Sequence, residues 1–176
     1  MKALIIIATQ GFQDQELKET KAALESQGVV VTIASKQKGI CQGVKGTTAQ
    51  AMFGLSEILI DRYDGFVFIG GPGATMYQKD SAALRIARDA HAKRKVLAAI
   101  CIAPTILAAA GALKDRKATV WNEDGSQAAF LAKSGAKYTG ESISVDGLCI
   151  TANGPAASTA FGLKVAELLK KRPFSG

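Results

Sequence analysis

Val96-Leu97-Ala98-Ala99-Ile100-Cys101-Ile102-Ala103-Pro104 passes from strand to helix with no residue to spare for a loop. Val96–Ile100 is apolar without alternation, as in a strand buried on both faces of a parallel sheet. Pro104 suits the first turn of a helix, where its missing N–H costs nothing. Cys101 therefore falls on a sharp corner. Such a corner holds a side chain open at the end of a sheet, in the manner of a nucleophile elbow. It also aims a helix N-terminus at the sulfur, which predicts a lowered thiol pKa. Ala99, Ala103 and Ala108 leave room for close packing around the turn. On these residues alone, a small buried apolar cysteine is an equal reading.

Outward from this corner, strand and helix patterns alternate. Lys2–Ala8 reads as a buried strand and Asp14–Gln27 as an amphipathic helix ended by Gly28. Val29–Ala34 is a strand, Gly39–Ala49 a hairpin region and Ser56–Ile60 one helical turn. Gly65–Ile69 is a central strand that runs into the tight loop Gly70-Gly71-Pro72-Gly73. Ser81–Lys93 and Pro104–Ala110 are helices, Ala118–Trp121 a strand and Ser126–Ser134 a helix. Ile143–Asp146 and Leu148–Thr151 form a hairpin around Asp146-Gly147, and Pro155–Lys171 is the last helix. This alternation predicts an α/β doubly wound sandwich, a mostly parallel sheet with helices on both faces. Ligands of such sheets bind outside the carboxyl ends of the strands. Residues 1–176 read as one domain, without repeats or linkers.

Composition narrows the function classes. Of 176 residues, 48% are apolar and 21% charged, enough for a packed core and too apolar for disorder. Lys+Arg number 22 against 15 Asp+Glu, yet the basic residues are scattered. The clusters Lys93–Arg94–Lys95 and Lys170–Lys171–Arg172 have no interleaved aromatics, so no nucleic-acid platform is expected. The apolar start is too short for a signal peptide or membrane span, so no membrane partner is expected. Cys41, Cys101 and Cys149 lack CxxC spacing, which predicts neither a disulfide framework nor a metal site. A reducing, cytoplasmic setting follows. Cys149 reads as core, and Cys41 as exposed near a subunit contact.

Two further loops bear on Cys101. Gly70–Gly73 lets backbone approach closely and can offer N–H donors to an anion. Glu16 follows the first strand at the start of a helix, where favourable placement near the dipole already accounts for it. Tyr77, Asn122, Glu123 and Asp124 are candidates for the pocket border.

Taken together, these pieces resemble the ThiJ/PfpI superfamily, also called DJ-one, whose domain is like that of class I glutamine amidotransferases. The matching segments are Leu4–Ala8, Phe12-Gln13-Asp14-Gln15-Glu16-Leu17, Val67-Phe68-Ile69-Gly70-Gly71, Ala98–Pro104, Gly111–Thr119 and Asp146–Thr151 leading to Gly154-Pro155, in the family's order. The resemblance implies a flavodoxin-like sandwich and a homodimer. It makes Cys101 the reactive cysteine and Glu16 its hydrogen-bonding acid. Gly70, Gly71 and the backbone of Cys101 would line the anion pocket, beside Ile102 and Trp121. Implied activities are cofactor-free conversion of small carbonyls such as methylglyoxal, protection against oxidation through Cys101, and peptidase or amidase action. Two histidine positions of the family are occupied otherwise. Ile102 stands where the protease-like branch has histidine after the cysteine, and Trp121 where another branch supplies one; neither side chain is a base. Asn153 replaces an arginine before Gly154-Pro155. The only histidine, His91, lies on a charged helix surface, so peptidase chemistry lacks its base.

Overall fold

The computed structural model describes residues 1–171. In chain order the elements are β1 (Lys2–Ile6), β2 (Gln10–Phe12), α1 (Asp14–Ser26), β3 (Val30–Ser35), β4 (Gly39–Gly43), β5 (Thr48–Ala51), β6 (Phe53–Gly54) and β7 (Gly65–Phe68). They continue with α2 (Ser81–Ala92), β8 (Val96–Ile100), α3 (Pro104–Ala109), β9 (Lys117–Ala118), α4 (Ser126–Lys133), β10 (Lys137–Tyr138), β11 (Ile143–Asp146), β12 (Cys149–Ala152) and α5 (Ser158–Lys171).

Seven strands form the main sheet in the order β11-β12-β8-β7-β1-β3-β6, parallel except for β11. Ala3–Ala8 and Val96–Ile100 are fully buried, which is why both segments read as apolar runs rather than alternating ones. The two faces carry separate cores. One joins α2, α3 and α4 through residues such as Ile86, Ile106 and Leu131; the other joins α1 and α5 through Leu24, Phe161 and Val165. Cys101 packs against both, because it sits where the sheet ends between them. This is the doubly wound sandwich expected from the alternation, and the flavodoxin-like one that the resemblance implies.

The chain leaves β1 toward β3 on one side and returns to β7 on the other. The connections after β1 and β7 therefore diverge, opening a crevice at the carboxyl ends of these strands. Glu16 follows β1, Gly70 and Gly71 follow β7, and Cys101 follows β8.

Four local expectations are corrected. Ala118–Trp121 is not a strand of the main sheet. Only Lys117–Ala118 pairs, with β10, after which Thr119 N–H turns to Thr151 Oγ1 and Trp121 N–H to the Cys101 carbonyl. Pro155–Ala157 is a 3-10 turn and α5 proper begins at Ser158. Pro72-Gly73, read as the end of a loop, opens a 3-10 helix that runs to Gln78. Cys41 is fully buried inside the β2-β4-β5 sheet, not exposed. Lys170 and Lys171 do occupy the last turn of a helix, while Arg172 lies outside the described residues. No helix of the described residues is long and apolar enough to cross a membrane.

Candidate active site around Cys101

Cys101 has φ 62°, in the left-handed region that a β-carbon disfavours. The corner is thus strained, and two backbone bonds hold it: Cys101 N–H to the Ala152 carbonyl at 2.9 Å and Trp121 N–H to the Cys101 carbonyl at 2.8 Å. The first of these engages the Cys101 amide within the sheet, so it is not a donor to the pocket. The amides that face the sulfur are those of Ile102 and Gly71.

Glu16 is fully buried in the first turn of α1. Its position is fixed from three sides. Gln13 caps the helix, its Oε1 accepting from Glu16 N–H at 2.9 Å. Gln13 N–H donates to the Gly70 carbonyl at 3.0 Å, and Gly70 N–H donates to Glu16 Oε2 at 2.9 Å. Glu16 Oε1 is buried without a partner among the described residues, and the carboxyl lies against the Cys101 thiol. Gly70 therefore serves Glu16 and does not line the pocket, contrary to its expected part in anion binding.

Glycine is required at both positions after β7. A β-carbon on residue 70 would stand 2.6 Å from Cys101 Cβ and 2.9 Å from Glu16 Oε2. Residue 71 has φ 104°, and a β-carbon there would strike the Gly11 carbonyl.

Charge in this pair is governed by burial. Burial pushes the Glu16 carboxyl up to about 7, against the opposing pull of the Gly70 amide and the thiol. Burial, and then the Glu16 carboxylate, push the Cys101 thiol up to about 12, against the Ile102 and Gly71 amides. The lowered thiol pKa expected from a helix N-terminus is therefore overturned: burial raises it instead. α3 starts only at Pro104 and runs six residues, so its dipole is short and offset. What matters is whether Glu16 is charged.

A cavity of about 390 Å³ opens above the sulfur. Cys101, Ile102, Gly71, Pro72, Val44 and Trp121 form its mostly apolar wall. Trp121 is 37% exposed. Gln13, Asp14, Lys45, Thr75 and Gln127 also reach it, and sequence reading singled out none of these for the site. Asp14 explains the presence of the 43–47 turn: its carboxylate accepts from Lys45 N–H at 2.9 Å and Thr47 N–H at 3.0 Å. Its pKa is lowered, burial being outweighed by these bonds. Aspartate one residue inside a helix gives no sign of a partner thirty residues away.

The expected border residues are elsewhere. Tyr77 is buried, donating to the Ile7 carbonyl at 2.8 Å and accepting from Lys36 N–H at 2.9 Å. Asn122 and Asp124 accept from Ala128 N–H and Ser126 N–H, ordering the start of α4. Glu123 and Asn153 are not on the cavity wall. His91 lies at the far end of the sheet. All three cysteines are free, and no group of metal-ligating side chains occurs among the described residues.

Comparison with known proteins places this arrangement. The uncharacterized protein MJ0967 of Methanocaldococcus jannaschii is 36% identical over 171 residues, 97% of this chain and 83% of that one. The deglycase PfpI of Pyrococcus furiosus is 30% identical over 173 residues, 97% of this chain and 100% of that one. A crystal structure of a ThiJ/PfpI domain protein from Brachyspira murdochii superposes with TM-score 0.93 at 27% identity, covering 98% of both chains. The DJ-1/PfpI family model matches residues 1–168, and the chain belongs to that family.

Proposed function

We propose that this protein converts small reactive carbonyls, in the manner of a cofactor-independent glyoxalase or deglycase, with Cys101 as nucleophile and Glu16 as its acid and base. The observation that carries the reading is the buried Glu16 carboxyl against Cys101, with one oxygen left for a proton. If both groups ionised, two anions would share one desolvated site. The pair therefore holds one negative charge near neutral pH. In this reading the proton stays on Glu16 and the charge rests on sulfur, where the Ile102 and Gly71 amides favour it against the burial that pushes the thiol up. The thiolate then exists because its neighbour is neutral.

With a 2-oxoaldehyde in the cavity, Sγ adds to the aldehydic carbon and the carbonyl electron pair moves to oxygen. Glu16 protonates that oxygen, giving a hemithioacetal. The resulting carboxylate removes the proton from the former aldehydic carbon and returns it to the neighbouring carbonyl carbon, while the hydroxyl proton of the hemithioacetal passes to the ketone oxygen, giving the thioester of a 2-hydroxy acid. Water cleaves the thioester, releasing a 2-hydroxy acid and restoring the protonated pair. Aldehyde is oxidised and ketone reduced within one molecule, so no external oxidant or reductant enters. Ile102 beside the nucleophile offers no proton, which leaves Glu16 as the base and gives no support to peptidase chemistry. The deglycase name of the Pyrococcus furiosus relative fits the same carbonyl chemistry.

The test is methylglyoxal consumption with lactate as the measured product, in protein freed of metal. The wild type is expected to turn over. Cys101→Ser should abolish turnover and Glu16→Gln should lower it at least roughly a hundredfold, the usual scale of a lost acid or base. Unchanged turnover in Cys101→Ser would end the proposal.

A second reading rests on the same amides. Cys101 is partly exposed whereas Cys41 and Cys149 are buried, so no second thiol is offered to a sulfenate. Two equivalents of peroxide would take Cys101 to sulfinate with release of two waters, and Glu16 can donate to a sulfinate oxygen. Intact mass after mild peroxide should show a two-oxygen adduct on Cys101 rather than a disulfide.

A further inference from the structure

The pole of the sheet opposite Cys101 carries a second cavity, of about 480 Å³, at the amino ends of β8 and β12. His91, Arg94, Lys95, Arg116, Gly147, Leu148 and Cys149 supply its wall with Ala92. β8 separates the two cavities by about 17 Å at 3.3 Å per residue. The wall contains three permanent cations and no carboxylate. Arg116 is partly engaged, with Asp146 Oδ1 at 3.3 Å and the Asp146 carbonyl at 3.2 Å. Arg94 and Lys95 make no side-chain hydrogen bond or ion pair among the described residues. Besides Asp146, Asp61 bears on that side: it pairs with Lys93 at 2.6 Å and lies within the field of Lys95.

The backbone adds an independent observation. α2 ends in a Schellman turn: Lys95 N–H donates to the Ala90 carbonyl at 2.9 Å and Arg94 N–H to the His91 carbonyl at 3.0 Å. The residue at the left-handed position of this turn is ordinarily glycine, yet here it is Arg94, with φ 52°. Only Cys101 and Asp115 share that conformation among the described non-glycine residues. Strain of this kind collects at functional positions. A cation near a helix C-terminus is favourable in itself, but Lys93 already supplies one without strain.

We propose that this cavity binds a compact oxyanion carrying two or more charges, a phosphate ester or pyrophosphate, held by Arg94, Lys95 and Arg116. The guanidinium groups match phosphate oxygens in bidentate geometry, and Lys95 adds a point charge. The site is independent of the Cys101 chemistry.

His91 is the chain's only histidine and stands on the cavity wall, so its ring resonances report on this site alone. The experiment follows them at fixed pH in 0.15 M NaCl during titration with pyrophosphate and, separately, glycerol 3-phosphate, with additional sodium chloride as the ionic-strength control. A saturable shift is expected, half complete at or below about 1 mM, for at least one phosphate compound and not for chloride at matched ionic strength. The tighter of the two identifies the source as a phosphate chain or a phosphate ester. Arg94→Gly should raise the half-saturation roughly tenfold while leaving the melting temperature unchanged or higher, because glycine suits the turn. Lys95→Gln should weaken binding without moving turnover of methylglyoxal. No saturable shift by 20 times the expected concentration, equal shifts with sodium chloride at matched ionic strength, or full binding by Arg94→Gly would each overturn the proposal.

Discussion

At the scale of single residues, the proposed chemistry rests on Glu16, an acid that burial pushes up to about 7. Glu16 is read in the sequence as a helix-start carboxylate, and that local role is real: it occupies the first turn of a capped helix. Its burial comes from β7 and β8 closing over it, which no pattern within residues 10–20 encodes. A measurable consequence follows for stability. The folded pair releases its first proton near pH 7, whereas glutamate in the unfolded chain does so near 4.5. Between these values the folded state binds more protons, so stability falls as pH rises from about 4.5 to about 7. The loss is roughly 3 kcal/mol at most. Urea unfolding of wild type across that window should show the fall, and Glu16→Gln should not show it.

At the scale of elements, the corner after β8 was legible because strand and proline abut in the sequence. The loop after β7 was legible as glycine-rich but not in its division of labour, since Gly70 serves Glu16 and Gly71 the pocket. Gly70→Ala tests that division. The new methyl meets Cys101 Cβ and Glu16 Oε2, so stability should drop by about 1–3 kcal/mol and turnover by at least about tenfold. Circular-dichroism melting and methylglyoxal kinetics check the two effects. The 43–47 turn was read only as part of a hairpin, because the bonds that bring it to the cavity come from Asp14. Asp14→Ala should cost about 1–3 kcal/mol and raise KM more than it lowers kcat, since the turn lines the cavity without touching sulfur. The segment after α3 misled for a different reason. Ala118–Trp121 has strand composition, but Thr119 and Trp121 spend their amides on Thr151 and Cys101 at the end of the sheet, and Trp121 walls the cavity instead.

At the scale of the whole molecule, the doubly wound order places Cys101 and its cavity at one pole and a basic cavity at the other. Ile40, Val44, Met52 and Phe53 are exposed apolar residues on and beside the β4–β5 hairpin, each more than 40% accessible. We infer that a second copy covers this surface, and light scattering should give twice the chain mass at micromolar concentration; a monomer mass would remove the inference. Which partner of the Cys101–Glu16 pair carries the charge decides the chemistry open to the site. The rate of Cys101 alkylation by iodoacetamide as a function of pH, followed by mass spectrometry in wild type and Glu16→Gln, reads this directly. A thiolate beside a neutral acid predicts a wild-type midpoint at or below about 7 and no gain in rate at neutral pH from Glu16→Gln. A wild-type midpoint approaching 12, with faster alkylation once the carboxylate is removed, would show that Glu16 and not sulfur holds the charge.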